Sequence, residues 1–250
     1  MADLAWTPEL AKASPAAPRH ASVVRLTHWL TTLCFFALLV TGIEIVISHP
    51  RFYWGETGNV LTPALFQLPI PASRGIVKTG YAFVLPDQNG WSRSLHFQAA
   101  WLLAFTALLY GISSLLSGHF TKHLLPSGSD LSTQALSSEI SKHLRFSAPT
   151  ARDAHSYNLM QRLAYLSVIL VLFPLMIWTG LAMSPGFTAM FPFTVTAFGG
   201  QQSARTIHFF VTLALVLFVL VHVVMVYRAG FTSRLRTMIT GRADAIQEQL

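Results

Sequence analysis

The chain has 250 residues, of which 52% are apolar and only 11% are charged, and its mean hydropathy is +0.50. Because a typical soluble domain carries about 25% charged residues, this composition argues against a soluble protein and excludes a disordered one. The single cysteine, Cys34, excludes a disulfide framework, a Cys-ligated iron–sulfur cluster and covalent c-type haem attachment. The net charge of +7 comes from basic residues between long apolar runs, which fits lipid headgroups and membrane topology better than nucleic acid.

Four segments are long enough to cross a bilayer, which takes about 20 mostly apolar residues. They cover residues 29–47, 95–116, 163–183 and 206–227, and they are too long and too uniformly apolar to be strands. The sequence therefore predicts an all-α integral membrane protein, a single domain over residues 1–250 built as a bundle of four transmembrane helices. The first span is expected to remain as an anchor, because no cleavage site follows it at the usual distance.

The distribution of Lys and Arg predicts the orientation. Twelve of these residues lie in the N-terminal tail, in residues 117–162 between the second and third spans, and in the C-terminal tail, whereas the opposite side has Arg51, Arg74, Lys78, Arg93 and Arg205. Since positive residues concentrate on the cytoplasmic side, both termini are predicted to be cytoplasmic.

The loop of residues 48–94 would then be external. It is long and rich in Pro, Gly and aromatic residues, so it is either an ordered cap that docks a partner or a lid that simply packs on the helix ends.

Four histidines lie within or at the ends of the predicted spans, and their depths match in pairs. His96 and His208 both lie near the external face, whereas His28 and His222 lie toward the cytoplasm. His208 and His222 are fourteen residues apart, which places them on one helix face about 21 Å apart along the axis. Two imidazoles from facing helices are what a six-coordinate haem iron needs, so the sequence predicts two noncovalent haems b with bis-histidine ligation.

Three arginines each precede one of these histidines by three residues: Arg25, Arg93 and Arg205. This offset places each arginine one helical turn nearer the membrane surface on the face of its histidine. We expect these arginines to pair with haem propionates. The alternative for the arginines is a role in topology alone, and the alternative for the histidines is interhelical hydrogen bonding or a proton relay.

With these residues, the chain resembles the di-haem cytochrome b subunits of nickel–iron hydrogenases, formate dehydrogenases and thiosulfate reductases, which are related to the bacterial cytochrome b561 group. The resemblance covers all four spans, and its most specific element is the histidine spacing on the fourth. The motifs that carry it are Val24 to Trp29 (VRLTHW), Thr41-Gly42, His96-Phe97, Tyr157-Asn158 with Gln161 and Tyr165, Pro174, Thr179-Gly180-Leu181, and Arg205-x-x-His208 with His222.

The resemblance implies an external haem ligated by His96 and His208 and a cytoplasmic haem ligated by His28 and His222. It also implies a bacterial inner membrane location in a respiratory chain, and a quinone site near the cytoplasmic haem. The residues expected at that site are His155, Tyr157, Asn158 and Gln161.

The function predicted from all this is electron transfer between a periplasmic oxidoreductase subunit and the quinone pool, with no substrate chemistry beyond quinone redox. The expected partner is a molybdenum enzyme or a hydrogenase, and the unusual external loop leaves both open. The alternatives are a stand-alone cytochrome b561-type quinone oxidoreductase with a small diffusible donor, and a proton-coupled transporter with a histidine relay.

Overall fold

The structure, a computed structural model, describes residues 21–59, 61–70, 89–118 and 159–241, with a few further positions between 120 and 141. Within this part of the chain, four helices are long and apolar enough to cross a membrane, so the predicted four-span helical fold is confirmed. The helices that form the spans are Ser22–Ser48 (first), Asn89–Leu116 (second), Leu159–Ser167 with Phe173–Ala182 (third), and Gln201–Arg228 (fourth).

The third span changes its helical pitch in the middle. Residues Val168–Leu172 form a π-helical turn between its two α-helical parts, and Pro174 follows at the start of the second part. Proline has no N–H to donate and its ring displaces the carbonyl four residues earlier, so a regular α-helix cannot pass through this point. The π-turn absorbs the mismatch without ending the span.

The bundle has small polar residues inside and bulky apolar residues outside. Thr41, Thr179 and Ser203 are completely buried, whereas Phe105 and Leu217 are each 63% exposed. This pattern is the reverse of a soluble protein and is typical of helices that meet in lipid, where close approach and hydrogen bonds hold the helices together.

The first span packs along the second, and the third packs along the fourth and also contacts the second. In the middle of the bundle, Val168, Val211 and Leu215 form a buried apolar cluster. Phe35 from the first span and Phe218 from the fourth pack against this cluster. The centre of the membrane domain is therefore filled with hydrocarbon side chains.

The described part of the 48–94 loop forms a small hairpin on one end of the bundle. Strands Arg51–Phe52 and Phe66–Gln67 pair antiparallel, with Phe52 opposite Phe66. The Phe52 ring is buried against Phe66 and against Phe209 of the fourth span, with ring centres 4.6 and 4.5 Å apart. This part of the loop is a lid packed on the helix ends, while residues 60 and 71–88 lie outside the described residues.

The segment after the first strand also caps the fourth span. The Gly55 carbonyl accepts hydrogen bonds from the amides of Gln202 and Ser203, and the Glu56 carboxylate accepts one from the Gln201 amide. The first amides of a helix have no partner inside the helix, and a carboxylate there also favours the helix dipole. The lid thus fixes the start of the helix that carries two of the predicted haem ligands.

Two short helices, Pro185–Met190 and Phe193–Thr196, join the third and fourth spans. After the fourth span, the chain turns at Gly230 into a C-terminal helix, Phe231–Thr240, at the opposite end of the bundle from the hairpin. Arg25 and Trp29 of the first span donate hydrogen bonds to the carbonyls of Ile239 and Met238, so the end of this helix is fixed to the start of the first span.

Replacing Gly200 by Ala tests the attachment of the lid. Gly200 has a φ of +131°, and a Cβ atom there would overlap the backbone of Gly55 and Glu56. We expect Gly200→Ala to lower the thermal unfolding temperature of the detergent-solubilised protein strongly. The matched control is Gly199→Ala, where φ is +74° but the Cβ meets open space, so the cost should be only about 1–2 kcal/mol. Equal losses in the two variants would contradict this account of the lid.

Candidate functional site

His96 of the second span and His208 of the fourth face each other near the hairpin end of the bundle. Their ring centres are 6.4 Å apart and the ring planes are inclined by 58°. We call these two residues the hairpin-side pair. His208 lies two turns into the fourth span, just below the residues that the lid caps.

His28 of the first span and His222 of the fourth face each other toward the other end, and we call them the distal pair. Their ring centres are also 6.4 Å apart, with the planes inclined by 59°. The Phe218 ring stacks on His222 at 5.8 Å, and Tyr165 of the third span meets His222 edge-on at 6.5 Å. The structure thus brings together the same residues that the sequence grouped by depth.

Each imidazole of the hairpin-side pair is hydrogen-bonded to a buried threonine of a neighbouring span. His96 Nδ1 lies 2.9 Å from Thr41 Oγ1, and His208 Nδ1 lies 2.9 Å from Thr179 Oγ1. Both threonines are 0% exposed. The bonds leave Nε2 of each ring as the nitrogen that can bind a metal.

A glycine follows each of these threonines and lies beside the same imidazole. A Cβ at Gly42 would lie 3.6 Å from His96 Cε1, and a Cβ at Gly180 would lie 3.7 Å from His208 Cε1. Cε1 is the ring carbon next to Nε2. A Cβ at either position would make an ordinary van der Waals contact with the ring, so each glycine lies directly beside the metal-binding edge of its imidazole.

The spacing of both pairs fits an iron atom between two imidazoles. Two metal–nitrogen bonds of about 2 Å each, plus the distance from each nitrogen to its ring centre, span a separation of this size. Direct ring contact would bring the centres closer together, and a relay through a single hydrogen bond gives no reason for equal distances in two places. The residues present thus fit a bis-histidine haem at each pair.

The three arginines of the sequence pattern lie at the two ends of the bundle. Arg205 donates to the backbone carbonyl of His49, and its guanidinium carbon lies 5.0 Å from the centre of the Phe52 ring. Arg93 is exposed near the start of the second span. Arg25 donates from Nη1 to Ile239, as described above, while its Nε is buried with no hydrogen-bond partner among the described residues.

His49 lies just outside the first span and beside this arginine cluster. Burial lowers the pKa of His49, and the nearby charges of Arg205 and Arg93 lower it further, although a backbone hydrogen bond opposes this shift. His49 is therefore held in its neutral form at neutral pH, and the positive charge at this end of the bundle comes from the arginines.

Of the predicted quinone residues, only Gln161 is among the described residues; His155, Tyr157 and Asn158 lie outside them. Gln161 is in the first turn of the third span, four residues before Tyr165, whose ring contacts His222. Residues four apart share a helix face, so Gln161 lies on the face that leads toward the distal pair.

Residues 19–241 match the family model described as prokaryotic cytochrome b561. The chain belongs to the prokaryotic cytochrome b561 family. It is therefore a multi-pass membrane protein that binds haem b and transfers electrons. The predicted resemblance to this group is confirmed, as is the helical membrane fold.

This cytochrome is also similar to a curated protein of Azospira oryzae, the putative protein-methionine-sulfoxide reductase subunit YedZ1. The two chains are 29% identical over 212 residues, which cover 83% of this chain and 89% of the relative. The similarity thus extends over nearly the whole of both proteins.

The sequence did not reveal what Thr41 and Thr179 do. In the sequence the Thr-Gly pairs belong to a weak internal repeat, in which the stretch from Arg25 to Gly42 parallels the stretch from Arg162 to Gly180. Nothing in that repeat indicated that each threonine would reach a histidine of a different span. Their hydrogen bonds depend on how the spans pack, which is not encoded in local spacing.

The pKa of His49 predicts a pH-dependent part of the stability. The unfolded chain binds a proton at His49 with an ordinary pKa of about 6.5, whereas the folded protein binds it only at lower pH. The stability that the protein has with His49 neutral is therefore complete above about pH 6.5, and it is lost as the pH falls toward the folded-state pKa of His49.

We expect His49→Gln to reduce the loss of thermal stability between pH 7.5 and pH 5, relative to the wild type, when unfolding is followed in detergent. His20→Gln, which changes a histidine outside the described residues, serves as the matched control. If His49→Gln and the wild type lose the same stability over this pH range, the conclusion that the folded protein holds His49 in its neutral form is wrong.

Proposed function

We propose that this cytochrome carries electrons across a bacterial inner membrane between the quinone pool and a periplasmic oxidoreductase partner. In this proposal His96 and His208 ligate one haem b, and His28 and His222 ligate a second. The observation that supports it most is the equal 6.4 Å separation of the two imidazole pairs, one toward each side of the membrane.

The haems, when bound, supply one-electron oxidation and reduction of iron. The protein itself holds the two haems at different depths and prevents a continuous chain of water molecules from forming between them. The two ligands on the fourth span are fourteen residues apart, or about 21 Å along the axis. The apolar cluster of Val168, Val211 and Leu215 lies between these depths, and it leaves electrons a path through packed side chains while excluding a water-filled proton path.

The arginines would hold the haem propionates at the two membrane surfaces. Arg93 and Arg205 lie at the hairpin-side end and Arg25 at the distal end, each one turn from a proposed ligand. Arg25 has a buried Nε without a described partner, which is a donor available to an anionic group. Arg205 is already oriented by the His49 carbonyl and the Phe52 ring.

The quinone site is proposed at the distal end, which the excess of Lys and Arg makes the cytoplasmic one. Quinone carbonyls need hydrogen-bond donors and a proton path to water, and His155, Tyr157, Asn158 and Gln161 supply donors at the start of the third span. Gln161 leads along one helix face toward Tyr165 and His222, so a quinone bound there would lie next to the distal pair.

The partner is proposed to dock at the hairpin end, on the periplasmic side. The name of the Azospira oryzae relative favours a reductase of methionine sulfoxide in proteins over a hydrogenase. Reducing a sulfoxide to a sulfide consumes two electrons and two protons and releases water, and oxidising a quinol to a quinone releases two of each. Electrons would therefore run from quinol at the distal end to the reductase at the hairpin end.

The first test is the haem content and the pairing of ligands. The purified protein should contain two haems b per chain by pyridine haemochrome analysis. His96→Ala and His208→Ala should each remove the same component from a redox titration, and His28→Ala and His222→Ala should each remove the other. His119→Ala serves as the control, because no haem role is proposed for it. A single haem per chain, or partnership of His96 with His222, would contradict the proposal.

The second test concerns quinone. Asn158→Ala and Gln161→Ala should each slow the oxidation or reduction of the haems by a soluble quinone analogue, while haem content and spectra stay unchanged. Gln202→Ala, at the opposite end, should exchange electrons with quinone at the wild-type rate. If the distal variants behave as the wild type and changes near His96 abolish the exchange, the quinone site belongs on the hairpin side.

A further inference from the structure

We propose that Thr41 and Thr179 are positioning residues that fix the tautomer of the hairpin-side imidazoles and lower the midpoint potential of the haem bound there. The inference rests on the proposed ligation of that haem by His96 and His208. It assigns to two buried hydroxyl groups a role in setting which of the two haems is the easier to reduce.

The direction of each threonine–histidine hydrogen bond follows from the other bonds of the hydroxyl. Thr41 Oγ1 lies 2.7 Å from the carbonyl oxygen of Ala37, and Thr179 Oγ1 lies 2.8 Å from that of Leu175. A carbonyl oxygen only accepts, so each hydroxyl donates its one hydrogen to its own helix. Each hydroxyl oxygen also lies close to a second carbonyl of its own helix, 3.2 Å from Leu38 for Thr41 and 3.0 Å from Met176 for Thr179, and this carbonyl likewise only accepts. The histidine is therefore the one described contact from which the hydroxyl oxygen can accept, so the Nδ1 of each histidine is the donor.

This arrangement selects the tautomer that a metal requires. With the proton on Nδ1, the Nε2 atom has a free lone pair. Both threonines are fully buried, so no water competes for these hydrogen bonds. Gly42 and Gly180 lie beside Cε1 of the two rings and place no side-chain atoms at the Nε2 edge. Each Thr-Gly pair thus orients one ring from a neighbouring helix.

The two halves of the bundle use the same device. The first span supplies Thr41 and Gly42 to His96 of the second span, and the third supplies Thr179 and Gly180 to His208 of the fourth. The donor–acceptor distances agree at 2.9 Å. A coincidental contact would not be expected to recur in both halves with the same atoms.

The distal pair lacks this device within the described residues. Apart from its partner His28, the rings beside His222 are those of Phe218 and Tyr165, and His28 lies edge-on to Trp29 at 5.3 Å. An acceptor at Nδ1 makes an imidazole a stronger electron donor to its metal, which favours the oxidised state. The hairpin-side haem should therefore respond to loss of the threonine hydroxyls, and the distal haem should not.

The experiment compares Thr→Val and Thr→Ser at both positions by potentiometric titration of the haem-loaded protein. Valine has the shape of threonine without the hydroxyl, whereas serine keeps the hydroxyl. We expect T41V and T179V each to raise the midpoint potential of the haem component that His96→Ala removes. The expected size is up to a tenfold change in the equilibrium constant for one-electron reduction, or about 59 mV. In T41S and T179S this midpoint potential should equal the wild-type value.

Thr106→Val is the matched control, because Thr106 is a buried threonine of the second span whose hydroxyl bonds to the carbonyl of Leu102. T106V should leave the midpoint potentials of both haem components unchanged. Selective loss of the hairpin-side haem from the valine variants, with retention in the serine variants, would also support the role. If a valine variant does not accumulate, Thr→Ala at the same position removes the hydroxyl without adding a methyl group and is read in the same way.

An unchanged hairpin-side potential in haem-loaded T41V and T179V would overturn the inference, as would an equal shift in T106V or a failure of serine to restore the potential. These outcomes leave the proposed function intact. The proposed function fails separately, if the wild-type protein does not contain two haems.

Discussion

The bundle is organised by the need to hold imidazoles in pairs inside hydrocarbon. A polar imidazole inside the membrane needs hydrogen-bond partners. At the hairpin end these partners are threonine hydroxyls, which in turn donate hydrogen bonds to carbonyls of their own helices. Gly42 and Gly180 lie beside the same two imidazoles. The lid then holds the start of the fourth span, which carries His208 and His222, at a fixed height.

The first two spans and the last two spans share a pattern of residues, but they differ in whether histidines lie at the distal end. His96 and His208 occupy matching places on the second and fourth spans. Tyr165 stands on the third span where His28 stands on the first, and Tyr110 lies fourteen residues after His96 as His222 lies fourteen residues after His208. Only one of the two possible distal sites therefore has histidines. This asymmetry gives the bundle a distal pair on one side, next to Tyr165 and the start of the third span.

Much of this arrangement could be predicted from the sequence, because hydrophobic length and histidine depth are properties of single helices. The four spans and the grouping of His96 with His208 came from counting residues. The threonine hydrogen bonds could not be predicted, since they join different spans. The bond from Arg25 to the C-terminal helix was missed for the same reason, because spacing places Arg25 beside His28 but does not show which chain lies above it.

The central claim is that electrons cross the membrane through both histidine pairs, and sidedness tests it most directly. The purified protein would be reconstituted into sealed liposomes that contain ferricyanide, and an impermeant reductant would be added outside. Wild-type vesicles should reduce the trapped ferricyanide far faster than protein-free vesicles, and loss of either pair, in His208→Ala or His28→Ala, should return the rate to that background. Transfer at the wild-type rate in a variant that lacks one pair would contradict the account.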